Sequence, residues 1–476
     1  MTTVEILKSS LVVPAEDTPR ETLSLSNIDS LNGHKYNCTI YLFKNNLGAR
    51  DFFSVEVLKS ALAKALELFY PVVGRHMVGN DGCDQIDCNG QGVLFLVARL
   101  EHTANSLQFE PMSPEIREHF VPRKESHTSS LLLMLQVTYL KCGSVVRGTL
   151  AKHILIDGRS AAHLFDTWCR IARGNLTSIV PPSFDNAPLC ARSPPKICFE
   201  FPAYTTDPSK NKDNQKPCVL SLFKLSKEQI RHLKIRCSEG SNTAFFSTFC
   251  VVSALVWKCY CKAQGLAPGT KSRLCFTADI RNRVNPRMPA YFGNAAIRMF
   301  AASEVSKITS SPVGDVAGVV KAEIDRLTDD YIRSFIDYVK VMLDKKISVR
   351  DTDTSEADLR IRTILGMPFC DLNFGWGPPQ LVSWERTTEN RVAYVTNDQE
   401  NDAGIKIVLS LDLSTMKQFE KVFYEELGPD QNGKLVAESS IGIHEKYISL
   451  IGMDTSPRFP VIWSDLDEKI RAVEIA

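Results

Sequence analysis

The stretch that decides the reading runs from Gly148 to Gly174, GTLAKHILIDGRSAAHLFDTWCRIARG. Just before it, Leu131 to Leu140 (LLLMLQVTYL) is apolar and β-compatible, and Lys141-Cys142-Gly143 is a turn. Val145 to Leu150 continues as a second strand, so the two predict a hairpin. After Gly158, apolar residues fall at Ala161, Phe165, Trp168 and Ala172, lining one face of a helix. Gly174 stands where a helix-terminating glycine belongs. His153 is thereby placed at a strand end, before a sharp strand-to-helix connection. Irregular connections carried by rigid elements commonly hold reactive groups.

A neutral imidazole, with an ordinary pKa of about 6.5, can take a proton near neutral pH. Asp157 would fix the turn, either by accepting from local backbone N–H groups or by pairing with a distant Arg. Gly158 would let the chain bend where a Cβ clashes. Taken alone, these residues also fit a hydrogen-bonded core histidine followed by an ordinary turn.

The 476 residues suffice for two or three domains with real cores. Hydrophobic content of 44% and charged content of 23% are ordinary for a globular protein. A net charge of +1 argues against nucleic acid or an anionic membrane as partner. The start, MTTVEILKSSLVVPAEDTPR, has no signal-peptide pattern, and no apolar run approaches the ~20 residues of a membrane span. A cytosolic location and a monomer are expected. The fourteen Cys are scattered, mostly in apolar context, as small buried hydrophobes of a reducing compartment would be. None has zinc-type spacing with nearby His, so no metal site is expected. There is no P-loop, and NGQG at Asn89 lacks the third Gly of a dinucleotide fingerprint.

Along the chain, Tyr36–Phe43 and Val93–Leu100 read as strands, and Ser54 caps a helix that ends by Pro71. Residues 1–180 form a mixed strand-and-helix half. Frequent Pro between 181 and 217 reads as a crossover linker. A second half, 218–427, holds a helix at Ser226–Arg236 and a strongly apolar helix over Phe245–Gln264, started by Ser241 or Thr243. It continues with a strand at Arg273–Asp279, a basic loop IRNRVNPRMPAYFGN, an amphipathic helical region over Asp315–Lys345, and an acidic exposed stretch at Asp351–Asp358. Asn373-Phe374-Gly375-Trp376-Gly377 followed by two Pro suggests a rigid turn with an aromatic wedge. Ile405–Leu413 is a strand, Ser414 caps a helix to Leu427, and residues 428–476 are an extension with no assigned role.

HILIDG at 153–158 together with NFGWG at 373–377 resembles the paired HxxxDG and DFGWG signatures of the BAHD family of acyl-CoA-dependent acyltransferases. LKSALAKALELFYPVVGR, STFCVVSALVWK and TADIRNRVNPRMPAYFGN are similar to the family at collinear places, over roughly residues 5–427. Several stretches are most similar to the hydroxycinnamoyl-CoA shikimate/quinate transferase branch. The resemblance implies an α/β (α+β) fold: two chloramphenicol-acetyltransferase-like domains with mixed sheets, flanking helices and a tunnel at their interface. It implies acyl transfer from acyl-CoA, a co-substrate with no permanently bound cofactor, to an alcohol or amine. His153 would be the general base, with no acyl-enzyme. The indole N–H of Trp376 would be a candidate donor to the oxyanion. Asp157 would be held by an Arg away from the tunnel, and Gly158, Asn373, Gly375 and Gly377 would be structural. Ser253, Arg281 and Arg283 would lie near the coenzyme, Arg suiting its phosphates.

Two departures stand out. The family's Asp in the second motif is Asn373 here, so its salt bridge to an Arg of the basic loop becomes a neutral hydrogen bond. The shikimate branch places a Trp and a carboxylate-gripping Arg before that motif, where this chain has Ile364 and Gly366. That argues against shikimate or quinate as acceptor. Two other readings stand beside this one. A carrier-protein-dependent condensation enzyme shares the HxxxDG logic, although Lys152 fills the place of its second His. A non-catalytic binding paralogue is the other.

Overall fold

A computed structural model describes residues 4–428 and 440–443, apart from 34, 46–47, 81, 108, 110–111, 113, 124–127, 202–217, 240–244, 346, 348, 350–354, 385–389 and 399–403. Ser241, Thr243, much of the linker and most of the extension therefore lie outside the described residues.

The strands are β1 Glu5–Val12, β2 Thr22–Ser24, β3 Tyr36–Phe43, β4 Arg75–Val78, β5 Asp84–Asp87, β6 Val93–Leu100, β7 Leu133–Leu140 and β8 Val145–Lys152. They continue with β9 Val219–Leu225, β10 Lys271–Asp279, β11 Ala296–Glu304, β12 Leu359–Thr363, β13 Leu381–Trp384, β14 Val392–Asp398, β15 Gly404–Leu411 and β16 Ser440–Ile443. The helices are α1 Asn27–Ser30, α2 Val55–Leu68, α3 Pro114–Glu118, α4 Gly158–Ala172, α5 Lys227–Ser238, α6 Thr248–Gln264, α7 Val305–Ser310, α8 Val313–Asp325, α9 Asp329–Asp344 and α10 Leu413–Leu427.

Two mixed sheets organise the chain, one in the order β1-β6-β7-β8-β3-β13 and one in the order β11-β10-β12-β14-β15-β9-β16. The expected hairpin is β7–β8, turned at Gly143. Every residue of β8 is buried, because both faces of this sheet are covered. One face packs against α2 and α4 through Leu62, Leu66, Phe165 and Trp168. The other lies under the 104–121 segment through Phe109, Met112 and Phe120. Gly148 sits where a Cβ would come 1.7 Å from the Phe120 carbonyl oxygen, so only glycine lets that segment cross β8. Arg147 is fully buried on the α4 side. The faces of Tyr41, Phe165, Trp168 and Phe374 surround its guanidinium at 4.0 to 5.5 Å. The second sheet packs on α6, which is buried nearly all round and so is the core helix of that half.

Several boundaries differ from the sequence expectations. The helix α6 starts after Ser247, whose hydroxyl accepts from the Cys250 N–H, and Phe245 is left 91% exposed. α10 is capped by Asp412, which accepts from the Thr415 N–H at 3.0 Å, and not by Ser414. The 315–345 region is two helices, α9 restarting at the Thr328 cap. In the acidic stretch, Asp358 is buried against Arg273 at 2.6 Å.

The two halves interlock. β13, from late in the chain, pairs with β3, with Leu381 opposite Leu42. Phe369, Leu372 and Phe374 join the core of the first sheet, while Ile28 of α1 joins the core of the second.

Candidate active site

β8 delivers His153 to the end of the first sheet, and its N–H donates to the Lys35 carbonyl at 2.8 Å. The ring is partly buried, and burial holds its pKa below the ordinary histidine value against the opposing pull of Asp157 and Asn294. Its Nδ1 lies 3.1 Å from Asn294 Oδ1. The Asn294 Nδ2 is committed elsewhere, donating to the His153 carbonyl and to Asp29 Oδ1, both at 2.8 Å. The amide oxygen must therefore face the ring, and the contact is a hydrogen bond only when Nδ1 carries the proton. A neutral ring so held leaves the lone pair on Nε2.

Asp157 does both things its position allowed. It caps α4, accepting from the Ser160 N–H at 2.8 Å, and it pairs with Arg281, with Nη1 2.9 Å from Oδ2. The Ala295 N–H adds a further bond at 3.1 Å. Burial alone would raise this carboxyl's pKa, but the Arg281 charge and these donors hold it below the usual range. Gly158 opens α4 with ordinary backbone geometry. A Cβ there would sit 3.3 Å from Met367 Sδ, so close approach explains the glycine better than a bend.

The three residues expected beside the coenzyme have their surroundings set within the protein. Arg281 is buried, and besides Asp157 its guanidinium bonds Asp279, Ser160 Oγ and the Tyr291 and Gly293 carbonyls. Its N–H groups are thereby used within the protein, with none to spare for a phosphate. Ser253 is buried inside α6, its hydroxyl facing core. Arg283 donates to the Ile324 and Leu327 carbonyls at the end of α8.

Asn373 does not reach the basic loop. Its Oδ1 accepts from the Gly375 and Gly377 N–H groups at 2.8 and 3.0 Å, while Arg173 donates to its carbonyl. Gly375 and Gly377 have φ of 116° and 103°, open to glycine but strained for other residues. The expected wedge follows. Trp376 packs on Phe53 at 5.4 Å and Phe52 at 6.2 Å, and Phe374 meets Trp168 edge-on at 4.7 Å.

Beside this loop lies a cavity of about 940 Å³ between the halves. Its wall includes Lys44, Ser247 and Thr248 at the start of α6, Leu365, Gly366, Trp376 and Gln380. His153 is not on that wall. Met367, next in the chain after Gly366, is the residue that approaches Gly158 beside the His153 turn. The volume is in the range of small-molecule sites.

Sequence reasoning missed Asn294 and Asp29. Asn294 closes the YFGN end of the basic loop, where its type alone carries no signal. Asp29 ends Ser26-Asn27-Ile28-Asp29, a legible capping box. Nothing local indicates that its carboxylate turns inward to Asn294.

Both motifs, the interlocked sheets and the cavity between them define one class. The description Transferase family matches residues 2–426, and the chain belongs to this family, the BAHD acyltransferases. It is an acyl-CoA-dependent O- or N-acyltransferase. It is 36% identical over 445 residues to putrescine hydroxycinnamoyltransferase 1 of Oryza sativa subsp. japonica, covering 89% of this chain and 99% of the relative. It is 32% identical over 434 residues to shikimate O-hydroxycinnamoyltransferase of Nicotiana tabacum, again covering 89% and 99%. The fold is similar to the crystal structure of vinorine synthase, with a TM-score of 0.68 at 23% identity over 87% of this chain and 96% of that one. It is also similar to F. sporotrichioides TRI101 complexed with coenzyme A and T-2, with a TM-score of 0.68 at 17% identity over 84% and 97%. Among the described residues no helix is long and apolar enough to cross a membrane.

Proposed function

We propose that this chain moves an aromatic, hydroxycinnamoyl-like acyl group from acyl-CoA to an alcohol or amine, with the Nε2 of His153 as general base and no acyl-enzyme. The observation that carries this reading is the His153 Nδ1 held 3.1 Å from Asn294 Oδ1, which in a neutral ring puts the basic lone pair on Nε2. The acceptor O–H or N–H gives its proton to Nε2 as its heteroatom bonds the thioester carbonyl carbon. The oxyanion then collapses, the C–S bond breaks, and the leaving sulfur takes the proton from His153. A positioned base contributes ~10²–10⁴-fold, and holding both substrates together makes the attack effectively intramolecular. Trp376, on the cavity wall, is the candidate oxyanion donor.

The relatives named for hydroxycinnamoyl transfer support the donor class, and their named acceptors span an amine and an alcohol. Gly366 on the cavity wall and Ile364 nearby leave no cation in place of the missing carboxylate handle, which favours an acceptor other than shikimate or quinate. Acyl-CoA is a co-substrate, and no permanently bound cofactor is required by this chemistry. Purified protein is incubated with a panel of acyl-CoAs and acceptors, with free-thiol release followed. His153→Ala is expected to abolish turnover with an unchanged circular-dichroism spectrum. Turnover that survives this change refutes the reading.

A further inference from the structure

Asp29 is a buried acid that this chemistry leaves unused. It sits on α1, far from His153 in sequence, and is only 1% exposed. Four donors converge on it. The Ser26 N–H and hydroxyl reach Oδ2 at 2.8 and 2.7 Å. The Asn294 N–H and Nδ2 reach Oδ1 at 2.7 and 2.8 Å. Burial raises the Asp29 pKa above the ordinary carboxylate value, and the Ser26 and Asn294 donors pull it back down; four donors aimed at its two oxygens are the arrangement that suits a carboxylate. A four-residue helix has little need of a buried carboxylate; a surface capping box would serve it.

We propose that Asp29 is a positioning residue for His153, acting through Asn294: its carboxylate fixes the amide so that the oxygen faces Nδ1. This rests on the reading of His153 as base. Without Asp29, the Asn294 Nδ2 keeps only its bond to the His153 carbonyl, and the amide can turn over to present its NH₂ to the ring. Nδ1 would then have to accept, the proton would move to Nε2, and the lone pair the acceptor needs would be gone. With Asp29 in place, both Nδ2 hydrogens are spent and one orientation survives. The charged groups acting on the ring are Asp157, on its own turn, and Arg298, on β11, of opposite sign; Tyr291 faces Asp29.

The test uses the full chain with ¹⁵N-labelled histidine, as wild type, Asp29→Asn and Asn294→Ala. Wild type is expected to show His153 protonated on Nδ1. Both variants are expected to shift towards the Nε2–H form, with kcat down about 10- to 1000-fold and KM little changed; a wrong tautomer costs up to ~10⁴ in Ser–His–Asp systems. A folded Asp29→Asn protein that keeps the wild-type tautomer overturns the proposal. So does a rate loss in which the tautomer signal does not move, which would mark a purely structural role. If Asp29→Asn does not fold, Asn294→Ala decides on the tautomer signal. Activity surviving His153→Ala would sink the reading of His153 as base, whereas the tautomer signal judges the Asp29 link by itself.

Discussion

Removing the Asp157 carboxylate tests the buried pair on which the His153 turn rests. Asp157 and Arg281 side chains are 7% and 3% exposed, and the guanidinium reaches both carboxylate oxygens. Breaking a buried pair by deleting one partner costs about 3–5 kcal/mol, because the other charge stays behind unpaired. Here Arg281 retains Asp279 at 3.1 Å, which places the loss for Asp157→Asn near the lower end, about 3 kcal/mol. Asp157→Ala also removes the α4 cap, adding about 1 kcal/mol. Against a typical total of about 5–15 kcal/mol, either change is severe. Urea denaturation followed by far-UV circular dichroism should show midpoints ordered wild type, Asp157→Asn, Asp157→Ala. The double variant Asp157→Ala with Arg281→Met should be less destabilised than the sum of the singles, since no uncompensated charge then remains. Strict additivity, or a loss below about 1 kcal/mol for Asp157→Asn, would show that the pair does not hold the turn.

Four further outcomes are expected. Gly148→Ala drives a methyl into the Phe120 carbonyl and should cost at least about 1–3 kcal/mol of stability, read as a lowered thermal midpoint. Because burial depresses the His153 pKa, the acidic limb of kcat/KM should lie below the ordinary value of about 6.5. As pH falls below that value the unfolded ring protonates first, so stability should decline from there down to the folded pKa. Asn373→Asp keeps the acceptor for Gly375 and Gly377 and should change kcat by much less than a hundredfold; Asn373→Ala loses both bonds and should cost about 1–3 kcal/mol. Arg147→Met removes a charge enclosed by aromatic faces and should leave stability unchanged or raise it by about 1–4 kcal/mol, whereas clear destabilisation would show that the aromatic faces compensate the guanidinium.

The elements around His153 were legible because local chemistry specified them. The β7–β8 hairpin carries a turn glycine, and the apolar face of α4 comes with a capping Asp and a terminating Gly. The aromatic wedge was readable from Gly-Trp-Gly for the same reason. Local chemistry could not specify which distant residues surround a side chain. Arg281 and Ser253 looked available to a coenzyme as residue types, but their surroundings are set by residues far away in the chain. Asp157 takes up Arg281, and packing all round α6 takes up Ser253. Asn373 found its partner within its own loop, although the expected partner lay in another segment. Helix starts failed where two polar residues competed, as Ser247 displaced Ser241 and Thr243, and Asp412 displaced Ser414. The Asp29–Asn294 contact joins residues 265 positions apart in the chain and leaves no periodic trace.

The pairing of β13 with β3 limits how this protein can breathe. A strand lent from one half to the sheet of the other acts as a stitch, and Ile28 is a second stitch in the reverse direction. Swinging the halves apart would tear a ladder of main-chain bonds and uncover Phe374. Traffic to and from the interior must therefore pass through loops and rotating side chains, and neither half expressed without the other would have its full fabric.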